Sequence, residues 1–344
     1  MLRERDGTAV RPALHEIPWP VPIARDGYRI VDRMRADEPG ELRRLKRALL
    51  AADAQIDPKY FYDANGCALF GAICAQPEYY LTRTEARIFA KHRAEIVWHL
   101  PTSAQWIDLG CGDGRKSQAW IAAVRARRYI GVDIAPEALE QTVRRMTALF
   151  PQVECAGVVC DFSRLLSIDD IVRERPEAVP VLFYPGSSLG NFRPPQASAL
   201  LSSFRRNLAP HGCLLIGVDL VKDARLLEAA YNDARGVTAE FNRNALRVVN
   251  RLLDADFDPR KFQHRAHFDS RAARIEMRLQ SRVDHRVRIG SDERRFRRGE
   301  SILTEYSHKY TLERFGRLLS KAGFSRQRVW TDPAGWFGVF LASQ

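Results

Sequence analysis

Across its 344 residues the chain has six cysteines, and no two of them form a CxxC pair. Cys67, Cys74, Cys111, Cys155, Cys160 and Cys213 are scattered, and no histidine cluster accompanies them to complete a zinc site. Free thiols in a reducing compartment, with no metal, are the expectation. Long apolar runs are also missing. The longest, such as residues 213–218, are far too short to span a bilayer. The opening segment MLRERDGTAVRPAL holds no apolar stretch of the kind a signal peptide needs, so secretion is not expected and the cytoplasm is the expected location. Internal repeats and low-complexity tracts are absent. So is an acidic balance, the formal net charge being +12. A basic chain favours acidic partners only where the charge clusters, and here arginine is spread over the whole length. The densest group, residues 293–300, is bracketed by acids and reads as a solvated surface segment. Neither nucleic acid nor a membrane is expected as a partner, and the chain is expected to act as a monomer on a small molecule.

What is present is the composition of a protein with a real core: 45% apolar residues and 17 phenylalanines. The middle of the chain alternates short apolar runs with amphipathic stretches. Strands are expected at residues 106–109, 129–133, 153–159, 181–184 and 213–219, and helices at 117–124, 136–149 and 196–208. Pro136 suits a first helical turn. Such alternation predicts a parallel sheet covered on both faces. This region supplies candidates for five strands. Two more are expected at 324–330 and 336–341, after a helix over 312–321 and on either side of the turn Asp332-Pro333-Ala334-Gly335. Roughly a hundred residues separate the fifth strand from that last unit, far beyond the usual connection of about two to six. An α/β, Rossmann-like core over 84–220 and 308–344 is therefore expected. A second, α+β substrate-binding domain would be assembled from residues 20–83 and 221–307, with 1–19 a flexible N-terminal segment.

A strand ending in Asp108-Leu-Gly-Cys-Gly-Asp-Gly114 and running into a helix is a cradle for a small ligand. Gly110 and Gly112 let the backbone approach with no Cβ in the way, and a helix start presents free N–H groups. Dinucleotide sites share the glycines and also place an acid on the second strand, so Asp133 could serve either kind of cofactor. Three details favour S-adenosylmethionine. The spacing is G-x-G-x-G, with Arg115 where a further glycine would stand in the dinucleotide pattern. Asp108 precedes the loop, where an anion would repel pyrophosphate and suit the cationic amino-acid end of a sulfonium donor. Asp161-Phe162 follows the third strand, offering an acid for an adenine amino group and a ring for its face.

Pro185-Gly-Ser-Ser-Leu-Gly-Asn191-Phe192 follows the fourth strand, where class I enzymes place substrate residues. The Asn/Asp-Pro-Pro-aromatic motif frequent in methyltransferases of nucleic-acid bases and protein amides is not there: Pro194-Pro195 follows Asn191 without a following aromatic. From about Tyr60 to the C-terminus the chain instead resembles the histidine-specific N-alpha-methyltransferases of ergothioneine biosynthesis. The resemblance rests on YFYDANGCALF (60–70), PEYYLTRTE (77–85), PGSSLGNF (185–192), DLVKDARLLEAAYND (219–233), EFNRN (240–244), RIEMRL (274–279), LTEYSHKY (303–310) and WTDPAGWFGVFLA (330–342). It implies that Asn191 and Tyr231 hold the amino-acid head of histidine, and that Tyr62, Tyr79 and Tyr80 line the pocket. It further implies that Glu305 and Ser307 hydrogen-bond the imidazole and that Met277 packs near the ring. For the cofactor it implies Gly110, Lys116, Asp133, Asp161 and Phe162. The family's loop is commonly Gly-Ser-Gly-Thr-Ser, so Gly110-Cys-Gly-Asp-Gly114 is a departure at the methionine end. Tyr306 and His308 alternate with Glu305 and Ser307 and, in a strand, would face the other way.

Trimethylation of the α-amino group to hercynine is the activity this resemblance implies. Asn191 and Tyr62 are the residues expected nearest the chemistry. Such a transfer asks the protein chiefly for positioning and desolvation. A site built on hydrogen bonds to an imidazole rejects analogues that leave those groups unpaired. The alternative is a methyltransferase of the same fold acting on another amino acid, or on RNA or protein.

Overall fold

The computed structural model describes residues 27–34, 38–163, 166–208 and 211–344. The flexible segment expected over 1–19 lies outside them. In chain order the described elements begin with strand β1 (Tyr28–Asp32) and helices α1 (Glu38–Leu50), α2 (Ala64–Cys74) and α3 (Tyr80–His99). An alternating series follows: β2 (Gln105–Leu109), α4 (Arg115–Ala123), β3 (Arg128–Asp133), α5 (Pro136–Leu149), β4 (Glu154–Val159), α6 (Asp169–Arg173), β5 (Pro180–Tyr184), α7 (Pro194–Asn207) and β6 (Cys213–Asp219). Next come α8 (Ala224–Ala230), α9 (Val237–Leu253) and strands β7 (Phe262–Asp269), β8 (Arg274–Ser281), β9 (His285–Ile289), β10 (Asp292–Phe296) and β11 (Ser301–His308). The chain closes with α10 (Leu312–Lys321), β12 (Arg326–Thr331) and β13 (Phe337–Ser343).

The central sheet has eight strands in the order β1-β4-β3-β2-β5-β6-β13-β12. Strands β1 to β6 pair in parallel, and β13 runs antiparallel between β6 and β12. Without β1 this is the class I methyltransferase arrangement, with a reversed hairpin at one edge. Every residue of β2, β5 and β6 is buried, as expected for parallel strands covered on both faces. From β2 the chain winds outward through β3 and β4, then returns to the other side through β5 and β6. The order reverses between β2 and its two neighbours, and the crevice at the carboxyl ends there is where open α/β sheets bind ligands. The eighth strand is a difference from the sequence expectation. Residues 28–32 fall within the range 20–83 assigned to the second region, yet they pair in parallel with β4, Tyr28 opposite Cys155. The run YRIVD is β-prone, and the outer edge of β4 offers it a ladder.

The second region holds a three-stranded antiparallel sheet, β11-β8-β7, and the hairpin β9-β10. Burial along β8 alternates without a break, the period-two signature of a sheet with one face on a core. The inner face packs on α9, and Phe241 of α9 also meets Phe61 of the turn Pro58–Phe61, 4.6 Å apart between ring centroids. Segment 293–300 is not the wholly solvated stretch expected. Arg294 and Phe296 are buried on alternating positions of β10. Arg294 donates to the carbonyls of Leu49, Ala51 and Ala52 and pairs with Glu300, so its charge is satisfied inside. After β11 the chain returns at once to the main sheet. Tyr310 N–H donates to the Asp219 carbonyl at 3.1 Å, and Val221 N–H to that of Tyr310 at 3.0 Å. Thr311 then caps α10 by accepting from the Arg314 N–H at 3.1 Å. No helix among the described residues is long and apolar enough to cross a membrane.

Candidate functional site

Two structures meet at the carboxyl ends of β2 and β5: a glycine loop on one side and a half-open cleft on the other. The loop follows from its backbone. Gly110, Gly112 and Gly114 have φ of 67°, 50° and 67°, the left-handed region that L side chains rarely adopt. The Asp133 carboxylate, at the end of β3, accepts from the Gly112 N–H at 3.0 Å and from the Ile134 N–H at 2.8 Å. A Cβ built on Gly110 would stand 3.9 Å from the Phe162 ring, so loop and ring flank one space. Phe162 is set edge-on to Tyr184, 5.8 Å between centroids. Asp161 accepts from Lys59 at 3.1 Å and from Ser163. Although burial opposes it, these bonds and the Lys59 charge hold its carboxyl below the usual range. A concave, glycine-lined wall with one acid at the second strand end and an acid–aromatic pair at the third fits an adenosyl group.

Lys116 and Asp108 sit differently from the expectation. Lys116 is drawn to Glu85 at 2.6 Å, and the other oxygen of Glu85 takes the Gly186 N–H at 2.7 Å. Glu85 thereby bridges the glycine loop's helix to the loop after β5, a role not assigned from sequence. Asp108 does not face the ligand space. It is buried beneath the loop, accepting from Ser117 at 2.6 Å, while Ser117 accepts from the Trp106 indole at 2.9 Å. Burial pushes its carboxyl up to about 7. The cause is periodicity: all of β2 is covered on both faces, so any side chain on it points into packing.

The cleft is lined by Tyr62, Phe70, Tyr79, Asn191, Tyr231, Met277, Glu305 and Ser307, with Ser187, Thr238 and Phe241 among the rest. Its walls come from separate stretches of chain: 62–79, 186–191, 230–241, residue 277 and 305–307. Tyr62 ends the 3-10 turn Pro58–Phe61, and Asn191 ends the turn Ser188–Asn191 after β5. Tyr79 precedes α3, and Tyr231 follows α8. Met277 and Glu305 face each other in register across β8 and β11. An irregularity between Leu303 and Glu305 resets the alternation, so that Glu305 and Ser307 share the inward face. Tyr306, between them, turns outward against Arg274, 3.9 Å from its ring centre.

Tyr80 is the exception among the expected lining residues. Its hydroxyl donates to the buried Asp219 at 2.8 Å, and its ring packs on Trp336 at 5.4 Å. Adjacent positions at a helix start point in different directions, so Tyr79 and Tyr80 cannot both reach the cleft. Asp219 also takes Lys222 at 2.6 Å and Lys309 at 2.9 Å. Lys309 donates further to the Tyr231 and Ser307 hydroxyls, each at 2.9 Å. Neither Asp219 nor Lys309 was singled out from sequence, although Glu305, Ser307 and Lys309 recur at every second residue of one strand run.

The electrostatics are those of buried groups. Burial pushes the Glu305 carboxyl up to about 7, with Lys309 pulling against it. Burial also holds the Tyr62 phenol well above its ordinary range, reinforced by Glu305. Tyr79 shifts the same way, from burial and then Tyr231. These phenols therefore stay protonated near neutrality and act as hydrogen-bonding groups, not as phenolate bases. Among the described residues no group of three or more His, Cys, Asp or Glu side chains could hold a metal ion.

A family model described as histidine-specific methyltransferase, SAM-dependent, matches residues 42–344. A Mycolicibacterium smegmatis protein named histidine N-alpha-methyltransferase is 40% identical over 321 residues, covering 91% of this chain and 98% of that protein. Its namesake from Mycobacterium tuberculosis is 39% identical over 296 residues, covering 84% and 90%. Ergothioneine biosynthesis protein 1 of Neurospora crassa is 29% identical over 299 residues, covering 80% of this chain and 32% of that longer protein. Among solved structures, an S-adenosylmethionine-dependent methyltransferase from Clostridium acetobutylicum aligns with a TM-score of 0.45 at 13% identity, covering 80% of this chain and 97% of that one.

Proposed function

The chain belongs to the SAM-dependent, histidine-specific methyltransferase family, and from that premise we propose that it methylates the α-amino group of L-histidine three times, giving hercynine for ergothioneine biosynthesis. The observation that carries this reading is the enclosed pairing of Glu305 and Ser307 on one wall of a cleft whose other polar groups are Asn191, Tyr62 and Tyr231. We assign Glu305 and Ser307 to the imidazole, Asn191 and Tyr231 to the amino-acid head, and Met277 to packing against the ring. Tyr79 is assigned to the aromatic wall. Phe70, also in the lining, joins it. The division of labour we propose follows the chain: residues 84–220 and 308–344 hold the cofactor, and the remainder supplies most of the histidine pocket.

Gly110, Asp133, Asp161 and Phe162 are the residues that would hold S-adenosylmethionine, which would supply an electrophilic methyl group when bound, with Lys116 positioned through Glu85. The nucleophile must be the neutral amine with its lone pair free. Asn191 can accept an amine N–H without protonating the lone pair. Tyr62, kept as a phenol, can pass the released proton to water and turn its oxygen toward the remaining N–H. The first two transfers each replace one N–H of the neutral amine by N–CH₃ and release one proton; the third adds a methyl to a nitrogen that has no N–H left and gives a quaternary centre that no longer donates. The aromatic wall of Tyr62, Phe70 and Phe241 tolerates that charge, since ring faces attract ammonium groups. The aromatic walls of the cleft limit the water that would compete for the amine.

A cytoplasmic location and action on a free amino acid, without nucleic acid or membrane, belong to the same reading, as does a monomeric state. All six cysteines are free thiols, which supports the reducing compartment. The test is direct. Purified protein with S-adenosylmethionine and L-histidine should yield mono-, di- and trimethylhistidine in sequence by mass, with fragmentation placing every methyl on the α-nitrogen. Methylation of a ring nitrogen, or of another amino acid in preference, would overturn the substrate assignment.

A further inference from the structure

Beneath the cleft lies a buried ionic cluster that the proposed reaction does not use. Lys309 and Asp219 have no solvent exposure and are joined at 2.9 Å. Lys222 adds a second cation to Asp219, and Tyr80 a further hydroxyl. Asp332 also acts on Lys222 and Glu305 on Lys309, so two buried cations sit among acids of which Asp219 alone bonds to both.

The hydrogen bonds of Lys309 can be counted completely. An ammonium has three protons and accepts nothing. Its partners are Asp219, the Tyr231 hydroxyl and the Ser307 hydroxyl, each at 2.9 Å. At both hydroxyls, then, the oxygen accepts from Lys309. The two hydroxyls also lie 2.7 Å apart, so one donates to the other. Their two protons are thereby divided: one lies between them and one is left for the cleft that both residues line. If Ser307 donates to Tyr231, the free proton is the phenol's. Tyr231 then faces the ligand as a donor, while Ser307 faces it with a lone pair. If the order is reversed, Ser307 becomes the donor.

We propose that Lys309, anchored by Asp219, is a positioning residue: by donating to both hydroxyls it leaves a single hydroxyl proton for the cleft, and a carboxylate beside Tyr231 draws that proton, so that Tyr231 offers a donor backed by positive charge to the substrate's free carboxylate. The deduction rests on the assignment of Tyr231 to the amino-acid head. In this order Ser307 keeps a lone pair, and with the Glu305 carboxylate it can accept the two N–H groups of a protonated imidazole, so both ends of the amino acid are satisfied at once. Selectivity for a free amino acid over its amide or over a peptide-bonded residue then originates at a side chain that never touches the substrate.

The experiment compares L-histidine with L-histidinamide, in kcat/KM and in Kd for protein loaded with S-adenosylhomocysteine. Lys309→Met fills similar space and leaves Asp219 paired with Lys222 and Tyr80. The expected result is a loss of roughly 10- to 100-fold on histidine, the range for one charged hydrogen bond, with histidinamide changed by less than about 3-fold and cofactor affinity unchanged. Tyr231→Phe should reproduce the loss on histidine and add little to Lys309→Met, because both break one relay. Equal losses on acid and amide would overturn the proposal, as would undiminished preference for the acid. If Lys309→Met does not fold, Tyr231→Phe carries the same acid–amide comparison: persisting preference for the acid in that variant contradicts the relay. A wild-type protein that methylates another amino acid would refute the histidine assignment instead. The same comparison on that acid and its amide would still decide the role of Lys309.

Discussion

A carboxyl group as enclosed as that of Glu305 keeps its proton more tightly than one in water, because removing charge from solvent is costly. Its value of about 7 has two measurable consequences. The first concerns stability without ligand. The folded protein binds this proton more tightly than the unfolded chain, so the unfolded chain loses it first as pH rises. Stability therefore falls from about pH 4.5 to 7, and the full cost persists above. The groups facing it, Lys309, Tyr62, Tyr79 and Tyr231, do not change charge in that window. Glu305→Gln lacks the titration. Its stability relative to wild type, from urea unfolding, should rise between pH 5 and pH 8 by on the order of 3 kcal/mol; a pH-independent difference would contradict the burial. The second consequence concerns ligand. Glu305→Ala should weaken histidine by about 1.5–3 kcal/mol in calorimetric titration while leaving cofactor affinity unchanged. An equal loss of cofactor affinity would remove Glu305 from the substrate side.

At the scale of elements, the turn that presents Tyr62 is fixed by its junction with α2. A Cβ on Gly66 would lie 1.6 Å from the Phe61 carbonyl oxygen, so the chain can pack there only with glycine. Gly66→Ala must displace either the turn or the helix start. The expected cost is about 1–3 kcal/mol, seen as a lower Tm together with a raised KM for histidine, whereas a change in Tm alone would mean that Tyr62 is not held by this contact. Such junctions also show what the sequence disclosed. The helices at 136–149 and 312–321 and the strands flanking the glycine loop were legible, because apolar periodicity and Pro136 mark them. The strand at 28–32 was not, because an edge strand depends on a partner distant in sequence. Glu85 was obscured for another reason. It stands in the apolar stripe Leu81, Thr84, Glu85, Ile88, Phe89 of α3, all of it buried; a carboxylate at that spacing signals a buried partner, but nothing local names Lys116 and Gly186. Asp108 and Tyr80 were misplaced because strand and helix position, not residue type, set their direction. Lys309 carried its signal in the alternation with Glu305 and Ser307, yet its purpose depends on Asp219, far away in sequence.

For the whole molecule, the cleft exists only where the two regions of chain meet, and the bond from Lys309 to Asp219 ties the end of β11 to the end of β6. The backbone bonds between Tyr310, Asp219 and Val221 reinforce that seam. Thermal unfolding should therefore show one cooperative transition, not separate melting of the two regions. S-adenosylhomocysteine at about 100 times its Kd should add about 2.7 kcal/mol to the whole. Two transitions, only one of them shifted, would show that the seam is weak.

The central claim is that this Glu305-bearing cleft selects histidine among free amino acids. The most direct measurement is one incubation of the wild-type protein and S-adenosylmethionine with all twenty amino acids at equal concentration, read by mass. The result expected is methyl gain on histidine alone, progressing to three methyl groups on the α-nitrogen. Gain spread over several amino acids, or confined to one that is not histidine, would contradict the account.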